Sequence, residues 1–97
     1  MKYKIKYLPS FDNDIVRISE ALDEHPEKVA RLFKEMDEKL IRLEHMPNMW
    51  PIYYARPKYR KMVLEDHLLF YTVDDHKRVV RVYRIIYGKM DASMHIK

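Results

Sequence analysis

The chain has 97 residues, 47% of them hydrophobic, and a formal net charge of +4. This length allows one domain with a single core, and the apolar content excludes a disordered chain. No stretch approaches the roughly 20 apolar residues of a membrane helix, and the absence of cysteine excludes disulfides and cysteine chemistry.

The histidines are scattered, at positions 25, 45, 67, 76 and 95, without the close pairing that metal sites need. We therefore expect no metal and no cofactor. The first residues alternate charge with apolar side chains and lack the continuous apolar region of a signal peptide, which favours the cytoplasm. The modest positive charge permits nucleic-acid or acidic protein partners without requiring either.

The N-terminal segment predicts a half-buried strand. Residues 2–7 alternate strictly between two faces. One face carries Tyr3, Ile5 and Tyr7, and the other carries Lys2, Lys4 and Lys6. Pro9 and Ser10 should end this strand.

Two amphipathic helices follow. Phe11, Ile15, Ile18 and Leu22 are spaced four, three and four apart, which is one stripe of a helix that Ser10 or Asp12 could cap. Pro26 suits the first turn of a second helix. Its stripe consists of Val29, Leu32, Phe33, Met36, Leu40 and Leu43. So short a break between helices predicts an αα-hairpin.

The second half of the chain is strand-like. The link 46–51 carries two prolines and cannot be helix interior. Residues 59–64 and 68–73 read as strands, with turns at 65–67 and 74–77. The run Val79 to Tyr87 is the longest and richest in β-branched residues, so we expect it to be the central strand.

The order β-α-α-β-β-β predicts an α+β fold for residues 1–97, with one mostly antiparallel sheet and a helical hairpin packed on one face. Such a fold leaves the other face of the sheet uncovered. Basic side chains on that face could hold an anionic partner, although a single lysine on an exposed face more often serves only to keep it soluble. The candidates for target binding are Lys4, Lys6, Lys61, Arg81 and Arg84, with Arg60 beside them.

Residues 56–91, RPKYRKMVLEDHLLFYTVDDHKRVVRVYRIIYGKMD, contain a Pro-rich link, an Arg-rich strand, an apolar strand and a final strand. The final strand ends in Arg, two aliphatic residues, Tyr87, Gly88 and, three positions later, Asp91. This combination resembles the RelE/ParE superfamily of bacterial toxins, the toxic halves of type II toxin–antitoxin modules. The chain departs from it at Tyr87, where many members have His, and at Met90, where many have Arg.

Gly88 is the only glycine of the chain. We expect it to adopt positive φ and to turn the C-terminal tail across the open sheet face. The resemblance implies that family members place functional residues there. We also expect the core to end before the tail.

The resemblance implies two activities. RelE-like toxins cut mRNA in the ribosomal A site without a metal, whereas ParE-like toxins bind and poison DNA gyrase. The nucleases carry arginines at the positions of Leu68 and Met90, and both are missing here. The remaining candidates for proton transfer and phosphate stabilisation are Arg60, Tyr87, Lys89 and His95.

The final-strand pattern favours the ParE-like activity. A RelE-like endonuclease is the first alternative, and an inactive interaction domain on the same fold is the second. Each toxin reading implies a cognate antitoxin as partner, either gyrase or the ribosome with its mRNA as target, and no membrane association. An acidic antitoxin would complement the net charge of +4.

Overall fold

The computed structural model describes residues 2–96, whose strands and helices follow the predicted order. The elements are β1 (Lys4–Tyr7), α1 (Pro9–Ser19), α2 (Pro26–Arg42), β2 (Arg60–Val63), β3 (His67–Asp74), β4 (Val79–Tyr87) and a short 3-10 helix (Ala92–Met94). The predicted α+β class is confirmed. No helix within residues 2–96 combines the length and apolarity needed to span a membrane.

β4 lies inside the sheet, whose strands follow the order β1-β4-β3-β2. β1 runs parallel to β4, with Lys4 opposite Val79, and the other two pairings are antiparallel. The sheet is therefore mixed but mostly antiparallel. Its long β-branched strand is central, as predicted, because it has a neighbour on each side.

β4 also contains one residue more than β3 can pair. Phe70 lies opposite Arg84, yet the next residue, Tyr71, lies opposite Val82. Tyr83 is thus the extra residue of a β-bulge. The bulge shifts the alternation of side chains, so that Val82 and Ile85 both join the helix-side core although they are three positions apart.

Both helices begin at a proline, Pro9 in α1 and Pro26 in α2. The predicted cap at Ser10 or Asp12 is wrong, because α1 starts earlier and Leu8, which precedes it, makes no side-chain cap. The Ser10 hydroxyl instead donates to the carbonyl oxygen of Tyr83 at 2.7 Å. This bond ties the start of α1 to the bulge in β4.

The main core lies between the two helices and the sheet. The stripe of α2 points into it, although Phe33 is only partly buried. The sheet contributes residues from β2, β3 and β4. The buried members are Phe11, Leu32, Met36, Leu40, Leu43, Met62, Leu64, Leu69, Tyr71, Val80, Val82 and Ile85.

A second, smaller core covers part of the opposite sheet face, so the expectation of an uncovered face is wrong there. Tyr59, Phe70, Ile86 and Ile96 are its buried members. Ile96 belongs to the C-terminal tail (residues 88–96) and is fully buried. The core therefore does not end before the tail, because an apolar side chain of the tail returns to the sheet.

Gly88 follows β4 at once, but its φ is not positive, and that prediction is wrong. Its N–H donates to the carbonyl oxygen of Asp66 at 2.8 Å. A Cβ at this position would lie 3.2 Å from the same oxygen. The position favours glycine because two backbone segments approach closely, not because of the dihedral angle.

Candidate functional site

A cleft of about 370 Å³ opens where α1, the end of β4 and the C-terminal tail meet. Tyr87 and His95, two of the predicted catalytic residues, both line it, together with Arg84. Asp14 and His67, to which the sequence patterns assigned no function, also contribute polar side chains. The structure thus brings part of the predicted site together at one end of the sheet.

Asp14 and Arg84, which both line this cleft, form an ion pair in which the carboxylate is buried. The Asp14 side chain is 2% exposed and accepts from Arg84 Nε at 2.7 Å and Nη2 at 2.8 Å. The backbone N–H of Ile85 donates to the same carboxylate at 3.0 Å. Arg84 Nη1 donates to the carbonyl oxygen of His95 at 3.3 Å. One guanidinium therefore links α1, β4 and the tail.

The Asp14 hydrogen bonds also raise the pKa of Arg84 above its ordinary value, since they stabilise the charged form. Three of the five N–H groups of this guanidinium are already used by protein acceptors. Arg84, which also lines the cleft, is thus held in place as a structural cation.

His67, the first residue of β3, also lines the cleft. Its Nδ1 is 2.7 Å from Asp66 Oδ1, while Lys28 Nζ of α2 is 3.1 Å from Asp66 Oδ2. Burial raises the pKa of Asp66, but the hydrogen bonds from His67 and Lys28 outweigh it and lower the pKa below its usual value. The ring of Tyr87 meets the His67 ring edge-on at 5.7 Å. Tyr87 therefore packs as well as lining the cleft.

The other two catalytic candidates do not line this cleft. Arg60 lies on β2, where its Nη1 donates to the carbonyl oxygens of Trp50 at 2.7 Å and Asn48 at 3.4 Å. Lys89 is exposed in the tail, next to Gly88. The four candidates are thus divided between the cleft, the link before β2 and the solvent.

The cations predicted for the second sheet face have different surroundings. Lys4 and Lys6 are exposed on the edge strand β1, and Lys6 lies opposite Arg81. Arg81 Nη1 is 3.5 Å from Asp74 Oδ2. Lys61 Nζ lies 5.8 Å from the centre of the Tyr53 ring. Arg84 differs from these four because its partner, Asp14, belongs to α1.

The residues that line the cleft determine which reactions it could catalyse. Metal-free RNA cleavage needs groups that transfer protons and cations that stabilise the developing phosphorane. His67, His95 and Tyr87 could transfer protons, and the cations that line the same cleft are Arg17 and Arg84. Within residues 2–96, no three His, Cys, Asp or Glu side chains come together as a metal site would require.

Asp14 and His67 were missed for different reasons. Asp14 continues the helical stripe, three residues after Phe11 and four before Ile18, so its place on the buried face was visible in the spacing. A charge on that face signals a buried partner. The sequence pattern predicts a turn at His67, whereas β3 begins at that residue.

A family model described as the ParE toxin of type II toxin–antitoxin systems, parDE, matches residues 5–92. This chain belongs to that family. It is a type II toxin of the RelE/ParE superfamily, in agreement with the resemblance seen in residues 56–91. No curated protein matches the chain by sequence.

Solved structures of ParE and RelE toxins share the fold of this family member. The chromosomal ParDE system of P. aeruginosa gives a TM-score of 0.73 at 17% identity, covering 91% of this chain and 98% of that chain. A mutant of E. coli RelE in the free state gives 0.65 at 19% identity, with coverages of 98% and 93%. The intact E. coli RelBE toxin–antitoxin complex gives 0.64 at 18% identity, with coverages of 91% and 99%.

Proposed function

We propose that this ParE-family toxin arrests bacterial growth by binding and poisoning DNA gyrase, without chemistry of its own. The observation that carries the proposal is that three arginines of the sheet are bound to acceptor groups of the protein itself. Arg60 binds backbone carbonyl oxygens of the link, Arg84 binds Asp14, and Arg81 lies beside Asp74. A cleaving toxin would need such cations directed at a phosphate.

Two further positions support a binding toxin. Leu68 stands at the position where the RelE-like nucleases have arginine, and its side chain packs against the second core. Met90, where they have the other arginine, lines the cleft with a neutral thioether. Neither side chain can stabilise the negative charge of a phosphorane. The two cations that line the cleft, Arg17 and Arg84, both contact the carboxylate of Asp14, so their charge is already partly balanced by the protein.

The experiment is induction of the toxin in bacteria with two readouts, namely gyrase-dependent DNA breaks with the SOS response, and mapping of mRNA ends. The proposal expects DNA breaks and SOS induction with intact mRNA. His95→Gln should retain this effect, because the substitution removes proton transfer but keeps a polar side chain of similar size. No growth effect from a soluble, folded protein would favour the inactive interaction domain.

A RelE-like endonuclease is the second candidate, favoured by the meeting of Tyr87, His95 and Arg84 in one cleft. It predicts mRNA cuts with codon periodicity. Loss of a general acid or base typically lowers the rate by about 10²–10⁴-fold, so His95→Gln should abolish the cuts. Lys89→Ala is the matched control, since Lys89 lies in the same tail but does not line the cleft.

We also propose that the toxin binds a cognate antitoxin along β1 and α2. The solved ParDE and RelBE structures are toxin–antitoxin systems. Here β1 is an edge strand, and a groove of about 600 Å³ separates it from α2, with Ile5, Tyr7 and Ile41 among its lining residues. An extended antitoxin segment could pair with this edge. Co-purification with the product of an adjacent short reading frame tests the proposal, and Ile41→Glu should weaken the complex.

A further inference from the structure

The link between α2 and β2 presents a row of exposed apolar side chains. Met46, Met49, Ile52 and Tyr54 are between 42% and 97% exposed. We call the outward side chains of residues 46–58 the link surface. So many large apolar groups on one short segment are unusual in a monomer and mark an interaction site.

Buried side chains and hydrogen bonds fix the link to the rest of the fold. Every third residue, Pro47, Trp50 and Tyr53, is buried or half-buried between the exposed positions. The buried Tyr71 hydroxyl donates to the Pro47 carbonyl oxygen at 2.9 Å, and Arg60 donates to the Trp50 carbonyl oxygen at 2.7 Å. The link surface is therefore pre-organised, which lowers the entropy cost of binding. Arg60 acts as a positioning residue for it.

The charge of the chain is concentrated at the same place. Residues 45–64 contain no Asp or Glu, whereas the remaining 77 residues contain 15 basic and 15 acidic side chains. The whole net charge of +4 thus belongs to this segment. Its four cations are Arg56, Lys58, Arg60 and Lys61. A partner with acidic groups would be attracted to this side of the molecule.

The exposed residue types favour a protein over a nucleic acid. Met, Tyr and Arg are enriched in protein interfaces, and acidic residues are depleted. Single-stranded nucleic acids need aromatic rings on which bases stack. The rings of Trp50, Tyr53 and Tyr59 face inward, which leaves Tyr54 as the exposed ring of the link surface. Aliphatic groups such as Ile52 offer nothing to a phosphate backbone.

We propose that the link surface is where the toxin contacts its protein target, and that the contacted segment of the target is apolar and acidic. This inference rests on the proposed function, so the target to be tested is DNA gyrase. It places target binding at the link, away from the cleft and from the groove beside β1. Tyr54, whose ring is almost wholly exposed, would be the central anchor.

The experiment measures binding of purified toxin to each gyrase subunit and inhibition of DNA supercoiling. Ile52→Glu inserts an acidic group into the link surface, and Val16→Glu is the matched control, since these side chains are 54% and 58% exposed. Ile52→Glu should weaken binding at least about tenfold, whereas Val16→Glu should stay within about twofold. Tyr54→Ala, at a position with little packing to lose, is the second variant.

Each outcome decides the inference. If the wild-type toxin inhibits gyrase and both Ile52→Glu and Tyr54→Ala bind gyrase as tightly as the wild type, the link surface is not the target-binding site. The gyrase proposal would then stand. A wild-type toxin that neither binds nor inhibits gyrase would overturn the proposed function and this inference together. Salt-sensitive binding of a short DNA or RNA oligonucleotide that Tyr54→Ala abolishes, with gyrase binding unchanged, would assign the surface to nucleic acid instead.

Discussion

Replacing Asp14 with asparagine should remove a large part of the stability of this toxin. The substitution keeps the size of the side chain but replaces a carboxylate oxygen with an amide nitrogen. Asp14 is 2% exposed and accepts from two nitrogens of Arg84 and from the N–H of Ile85. In the variant an amide N–H must face one of these donors, and the Arg84 charge loses its partner.

The size of the effect follows from the burial of the two partners. Removing one member of a buried ion pair costs about 3–5 kcal/mol. Because the Arg84 side chain retains 18% exposure and gains some hydration, we expect the lower end, about 3 kcal/mol. A domain of this size is stable by only about 5–15 kcal/mol, so the loss should be easy to measure.

The assay is urea unfolding followed by the fluorescence of Trp50, the single tryptophan. Asp12→Asn is the control, since Asp12 is exposed in the same helix and should change the unfolding free energy by less than about 1 kcal/mol. Adding Arg84→Met to Asp14→Asn should cost less than the sum of the two single changes. A loss below about 1 kcal/mol for Asp14→Asn would refute the role given to this pair.

Three further predictions concern the tail and its surroundings. Ile96→Ala should cost about 2–5 kcal/mol in the same assay, because Ile96 is fully buried, while the exposed Met94→Ala should be nearly neutral; equal effects would contradict the second core. Gly88→Val should lower the thermal midpoint more than Gly88→Ala, because its branches crowd the Asp66 carbonyl; unchanged midpoints would remove the close approach as the reason for glycine. The lowered pKa of Asp66 stabilises the fold above its unfolded pKa of about 4, and this contribution disappears as the pH falls through the lower folded value. Asp66→Asn should therefore flatten the decline in unfolding free energy below about pH 4, and equal slopes would show that the carboxylate is not involved.

Local pattern was enough to predict the elements. β4 was predicted with the bounds it has, Val79–Tyr87, because its side chains are β-branched and buried on both faces. The start of α2 at Pro26 was equally visible, because proline favours the first turn. The pattern predicts the start of α1 too late, because the strand alternation continues to Tyr7 and the residues suited to a cap, Ser10 and Asp12, follow Pro9.

The candidate site depends on distances that no local pattern contains. Asp14 and Arg84 are 70 residues apart in the sequence. They meet because β1 pairs with β4, which places the following helix, α1, next to the bulge in β4. The local sequence also suggests the wrong reason for Gly88, namely positive φ. The actual reason is the carbonyl oxygen of Asp66, which lies in another turn of the chain. The return of Ile96 to the sheet likewise follows from an apolar cluster formed by three distant segments.

The parallel pairing of β1 with β4 has a consequence for how the toxin is made. Within the sheet, β1 leaves the ribosome before the other strands, but its partner residues, Val79 to Val82, are synthesised about 75 residues later. β3 likewise needs β4 beside it. The sheet therefore cannot assemble during most of translation, and a nascent chain that stops before β4 cannot be a folded toxin. The producing cell is thus exposed to the folded toxin only after β4 has been synthesised.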